Sequence, residues 1–127
     1  MISKKLKLVF GISIPVFIVH GIEEYFTRLY DFDPFYQSFS NPKAVFIFFV
    51  LVLGSVLLII SYLLIRKNKW VVGLSIALGL LFIFELIHIY DAVRVGGYYP
   101  GLITSFAFPI ISIFLWKELL KNWKNHV

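Results

Sequence analysis

The chain has no cysteine among its 127 residues, which excludes disulfide staples, thiolate metal ligands and a cysteine nucleophile. Charge is also scarce. Asp, Glu, Lys and Arg make up 15% of the residues, against about a quarter in soluble domains, and only 7 acids and 3 histidines are available for acid-base or metal chemistry. Apolar residues account for 60% and aromatics for 19%, with a mean hydropathy of +0.88. That balance excludes a water-soluble globule, and the length allows one domain.

A membrane-crossing helix needs about 20 mainly apolar residues. Four windows meet this: 6–25, 44–65, 70–90 and 101–120. The second contains no charged residue at all. The expected fold is therefore all-α: a single integral membrane domain, residues 1–127, built as a four-helix bundle. Glu23-Glu24 follow the first apolar run where a secretory signal would carry a small-residue cleavage site, so the first helix is expected to stay in place.

Basic residues give the expected orientation. Lys4, Lys5 and Lys7 precede the first window, Arg66, Lys67 and Lys69 separate the second from the third, and Lys117, Lys121 and Lys124 follow the fourth. Nine of the twelve Lys and Arg thus fall on one side, leaving Arg28, Lys43 and Arg94 on the other. The positive-inside rule puts both termini in the cytoplasm. The same distribution explains the net charge of +5 without a nucleic-acid partner, because no folded basic face with base-stacking aromatics accompanies it.

Ionisable residues within the spans stand out against this background. The first helix carries His20, Glu23 and Glu24; the third carries Glu85, His88 and Asp91. An ionised side chain costs about 2.5–3.5 kcal/mol at the centre of an inserting helix, and less toward its ends. Buried carboxylates of this number must be protonated, paired, hydrated or metal-bound. At 100° per residue, Glu23 and Glu24 flank His20 one turn further on, and Glu85-x-x-His88 has the spacing found in carboxylate-bridged metal proteins. Both helices run toward the same side, so the two groups lie at similar depth. His20, Glu23, Glu85 and His88 are the expected ligands of a divalent metal (Zn, Fe or Mn), with Glu24 and Asp91 as catalytic acid-base groups. A purely structural alternative pairs His20 with Glu24, Glu24 with Arg28 and Asp91 with Arg94 along their own helices. Thr104 and Ser105 begin the fourth window at the same level and are weaker candidates, as hydroxyl donors.

The string His20-Gly21-Ile22-Glu23-Glu24, followed by His88 and by Tyr99-Pro100-Gly101-Leu102-Ile103-Thr104, resembles the HXXEE-domain family of small bacterial membrane proteins. The resemblance spans roughly residues 8–120. It implies a bacterial cytoplasmic membrane protein and supports the site residues, but that family's activity is not established, so it names no reaction.

The sequence is best read as a membrane-embedded, metal-dependent enzyme acting on a lipid-like or small hydrophobic substrate at the outer face. The alternative is a metal- or proton-binding carrier or a regulatory subunit without catalysis. A carrier of four helices would need several copies of the chain, so a homo-oligomer is among the partners considered. A third reading pairs the acids with arginines of a larger complex.

Cysteines introduced at Asn68 and Gln37 should label from opposite sides of the membrane with an impermeant reagent. Labelling of both from one side would defeat the four-span topology.

Overall fold

The computed structural model describes residues 3–126, and no strand occurs among the described residues. Four helices are long and apolar enough to cross a membrane: Lys4–Phe26, Pro42–Arg66, Val71–Val95 and Leu102–Asn125, here the first to fourth spans. The sequence windows locate all four, but the last two helices run five residues further. Hydropathy reports where apolar residues stop, whereas a helix stops at a cap. The third continues to Val95, where Gly96 turns left-handed (φ 73°) and the Gly97 N–H donates to the Ala92 carbonyl at 3.1 Å.

The first span packs against the second and fourth, and the third packs against the fourth. Both described ends of the chain lie at one end of the bundle. There the Ser3 N–H donates to Asn122 Oδ1 (2.9 Å), and its hydroxyl donates to Glu118 Oε2 (3.1 Å). Lys7 Nζ reaches the Arg66 carbonyl (3.5 Å), so the link between the second and third spans joins them. That link turns through left-handed Asn68 and Trp70. This is the termini end; the opposite one, with residues 27–41 and 96–101, is the loop end.

Between residues 27 and 41 the chain folds over the helix ends in two one-turn helices, Leu29–Phe32 and Pro34–Gln37. Asp33 caps the second of them by accepting the Phe35 N–H (2.8 Å). Asn41 starts the second span by accepting the Ala44 N–H (3.1 Å), with Pro42 in the first turn where no N–H is needed. Leu29, Tyr30, Phe46, Ala92 and Tyr99 form an apolar layer under this cover. A larger core fills the middle and the termini end, with Phe10, Phe82, Phe108 and Leu115 wholly or almost wholly buried.

Two backbone irregularities have no counterpart in the sequence windows. Residues Ile47–Gly54 of the second span form a π-helix, a rare wider coil. Opposite it, Gly21 brings the first span so close that a Cβ there would lie 3.2 Å from Leu51. Small residues at such contacts let membrane helices approach closely. The third span breaks at Glu85-Leu86. Pro15 leaves the first helix unbroken, whereas the fourth opens at Phe106, three residues before Pro109.

Close approach also sets the contact between the third and fourth spans. A Cβ on Gly79 would fall 2.7 Å from the Trp116 ring, while one on Gly73 would meet nothing. Gly79→Ala should destabilise the detergent-solubilised protein by about 1–3 kcal/mol, the ordinary cost of overpacking. Gly73→Ala should be neutral or stabilising by up to ~1 kcal/mol through helix propensity. Thermal melting of the two variants side by side checks the contact.

Candidate metal centre

His20 and Glu24 are one helical turn apart and share the face of the first span turned to the third. Glu23 lies 100° around the helix from Glu24 and faces the fourth span instead. On the third span, Glu85 and His88 are brought into line by the local backbone. The His88 N–H bonds to the Glu85 carbonyl (3.3 Å), and the Ile89 N–H to that of Leu86 (3.1 Å), a 3₁₀ pattern in which side chains three apart eclipse.

The four side chains form a closed ring of alternating nitrogen and oxygen. His20 Nε2 lies 3.3 Å from Glu24 Oε1 and 3.0 Å from Glu85 Oε2. His88 Nε2 lies 2.9 Å from Glu24 Oε1 and 3.0 Å from the same Glu85 oxygen. All four residues are buried, and one ligand-type atom from each lies within 4.8 Å of the others. One ligand atom from each residue is thus near enough to the other three for this His/Glu group to be able to hold a metal ion. The two arginines at this end are occupied elsewhere: Arg28 with Asp31 (2.7 Å) and Arg94 with Asp91 (3.2 Å).

The surroundings are dry on the core side. Phe108 sets its ring edge against His20 (centroids 4.8 Å apart) and stacks on Phe82 at 5.1 Å. Gly101 closes the ring from the loop end with φ 87°. A Cβ at this position would lie 2.9 Å from His20 Cε1 and 3.1 Å from both Glu24 Cγ and His88 Nδ1, so only glycine fits.

Glu23 stands outside the ring. Its carboxylate accepts from the Ile103 N–H (3.0 Å), the Thr104 N–H (2.9 Å), the Tyr98 hydroxyl (2.7 Å) and the Thr104 hydroxyl. Thr104 Oγ1 in turn lies 2.7 Å from His20 Nδ1. Burial, together with the bond to Glu23, raises the Tyr98 phenol above its ordinary value, so it remains a donor at neutral pH.

A cavity of about 120 Å³ reaches Glu24, Glu85 and His88 from the side. It shares Asp33, Tyr36, Phe84, Ile87, Asp91 and Tyr99 with a cleft of about 790 Å³ between the 32–36 segment and the third span. Burial raises the phenols of Tyr36 and Tyr99, keeping both neutral.

The structure therefore brings together His20, Glu85 and His88 as the sequence suggests, but puts Glu24 in the place expected of Glu23. Asp91 lies in the cleft wall; its pair with Arg94 and the His20–Glu24 pair form as the structural alternative has them, whereas the Glu24–Arg28 pair does not. Ser105 turns back to its own helix and bonds to the Leu102 carbonyl. Tyr98 and Gly101 were not singled out by sequence reasoning as parts of a site. The run Tyr98-Tyr99-Pro100-Gly101 followed by Thr104 was the available signal, since a glycine after Tyr-Pro marks a tight turn.

A family described as a protein of unknown function with an HXXEE motif matches residues 12–115. The chain belongs to this family. Comparison with curated proteins and with solved structures gives no match. The geometry gives the motif's three fixed residues a place in this member: His20 and Glu24 in the buried ring, and Glu23 bonded to the start of the fourth span.

Gly101→Ala should be among the most damaging single changes. It combines a left-handed backbone unfavourable to alanine with intrusion on His20, and about 1–3 kcal/mol of lost stability is expected from the backbone alone. A melting comparison with Gly97→Ala, whose Cβ would meet nothing, isolates the effect.

Proposed function

We propose that the chain is a membrane-embedded, metal-dependent enzyme acting on a lipid-like substrate, with its loop end facing away from the cytoplasm. The observation that carries this reading is the buried ring of His20, Glu24, Glu85 and His88, which contains two carboxylates and no lysine or arginine. Two added protons or one divalent cation would each neutralise it. A divalent ion matches the ligand types, since Zn and Fe suit mixtures of imidazole and carboxylate and Mn also accepts them. Such an ion polarises a substrate oxygen or lowers the pKa of a bound water.

The cleft supports the substrate class. Its walls combine Phe32, Phe35, Phe84, Ile87 and Val95 with a polar rim of Asp33, Asp91 and Arg94. An amphiphile laid there would keep its chain on apolar surface while its polar end approached the ring. Asp91 borders both the cleft and the inner cavity, which suits a general base near a substrate entering that way. Glu24, one of the four ring residues, is proposed as a ligand.

One observation favours the second reading, a metal-binding regulatory subunit without catalysis. Four protein ligands close a tetrahedral Zn site, as in structural zinc centres. Six-coordinate Fe or Mn would keep positions open for substrate. Metal identity therefore separates the readings.

Elemental analysis of detergent-purified protein should find stoichiometric metal in the wild type and little in His88→Ala or Glu24→Gln. Added metal at 100 times its Kd should stabilise the wild type by about 2.7 kcal/mol and the variants not at all. Absence of metal, with no melting shift from Zn, Mn or Fe(II), would overturn the metal reading. Metal without any change in a reconstituted membrane lipid extract, scored by mass spectrometry against Asp91→Asn, would leave the regulatory reading.

A further inference from the structure

The two histidines of the ring are held differently. A hydroxyl has one proton to give, and Thr104 Oγ1 touches two partners, Glu23 Oε2 and His20 Nδ1. Three other donors converge on the Glu23 carboxylate, which when ionised can only accept, so the Thr104 hydroxyl proton goes to it. The hydroxyl oxygen must then accept from His20, which fixes the proton on Nδ1. His20 Nε2 is left facing Glu24 and Glu85 with its lone pair whenever the His20 imidazole is itself uncharged. His88 has no such hold: its Nδ1 is buried without a hydrogen-bond partner.

We infer that Glu23 and Thr104 are positioning residues that lock His20 as the imidazole of fixed tautomer in the site, a hold that His88 lacks at its Nδ1. The lock stands on the hydrogen bonds alone. Its consequence for a bound cation rests on the function proposed above. Outer hydrogen bonds of this type set the tautomer of a ligating histidine, and their loss commonly weakens metal binding by about 10–100-fold. The motif's first glutamate thereby acquires a task distinct from that of the second: Glu24 is in the ring, whereas Glu23 acts on it through Thr104.

The experiment is nitrogen-15 NMR of histidine-labelled full-length protein in detergent, with metal titrations of the same samples. In the wild type, His20 should show an Nδ1–H protected from exchange with water, and His88→Gln should retain that signal. Thr104→Val, which keeps the shape and removes the hydroxyl, should lose the protection; Thr104→Ser should restore it. Glu23→Gln should lose it as well, because an amide can donate to the hydroxyl and let it turn. Zn and Mn affinities should fall about 10-fold or more in Thr104→Val and Glu23→Gln and recover in Thr104→Ser.

An unprotected His20 Nδ1–H in the wild type, or one indifferent to Thr104→Val, overturns the lock even if metal binds. Protection that follows the variants while no metal binds to any of them supports the lock and defeats the metal reading. Protection lost with metal affinity unchanged overturns the positioning role. If Thr104→Val fails to fold, Glu23→Gln and Thr104→Ser decide the same questions.

Discussion

Two carboxylates, Glu24 and Glu85, lie buried in a bundle whose helices have little reason of their own to associate. Lipid tails are as apolar as leucine, so spans are held by close packing and by polar contacts among them. An uncompensated buried carboxylate is strongly destabilising, and among the described residues only His20 and His88 lie within reach to compensate the pair. The first and third spans are thereby fixed at one register, because each imidazole must meet one acid from each helix. The break at Glu85-Leu86 follows from the same demand. A regular α-helix sets residues three apart 60° out of line, and the 3₁₀ turn removes that offset.

Glu23 performs the corresponding task for the fourth span. It collects two of the N–H groups that a helix start leaves unsatisfied, and adds the hydroxyls of Thr104 and Tyr98. One turn of the first helix, from His20 to Glu24, thus ties three spans together at the loop end. The second span is outside this network. It meets the first through Gly21 and its π-helical stretch, and much of its surface is exposed and apolar, as suits lipid contact.

The sequence disclosed these features unevenly. Spans could be read directly, because apolar length is a property of composition along the chain. His20, Glu85 and His88 could be read because ionisable groups are costly in that setting whatever their partners. The division of labour between Glu23 and Glu24 could not. Both flank His20 on its own helix, and which of them meets the third span depends on the order of helices around the bundle, which the spacing leaves open. Tyr98 and Gly101 were hidden for another reason. Gly101 acts through its φ of 87° and its close approach to His20, and Tyr98 through its bond to Glu23, both of which arise only once the 96–101 turn is folded onto the first span. The π-helix and the 3₁₀ break likewise have no proline or glycine signal at the positions where they begin.

The ring's place in the bundle also bears on membrane voltage. His20 lies six residues from the end of its helix at Phe26, a rise of about 9 Å. From the ring toward the termini end the spans carry no charged residue until Lys7, Arg66, Lys69 and Lys117, and the Phe10–Phe82–Phe108–Leu115 core fills the space. Each unit charge that traverses a whole membrane at 100 mV exchanges about 2.3 kcal/mol with the field. A cation entering from the loop end would cross only part of that drop, so its occupancy would respond to concentration on one side and only weakly to potential. Approach from the other side would meet both the larger part of the field and a layer without a charged partner, so a bundle inserted across a membrane would act as a one-sided electrical insulator around its own polar centre.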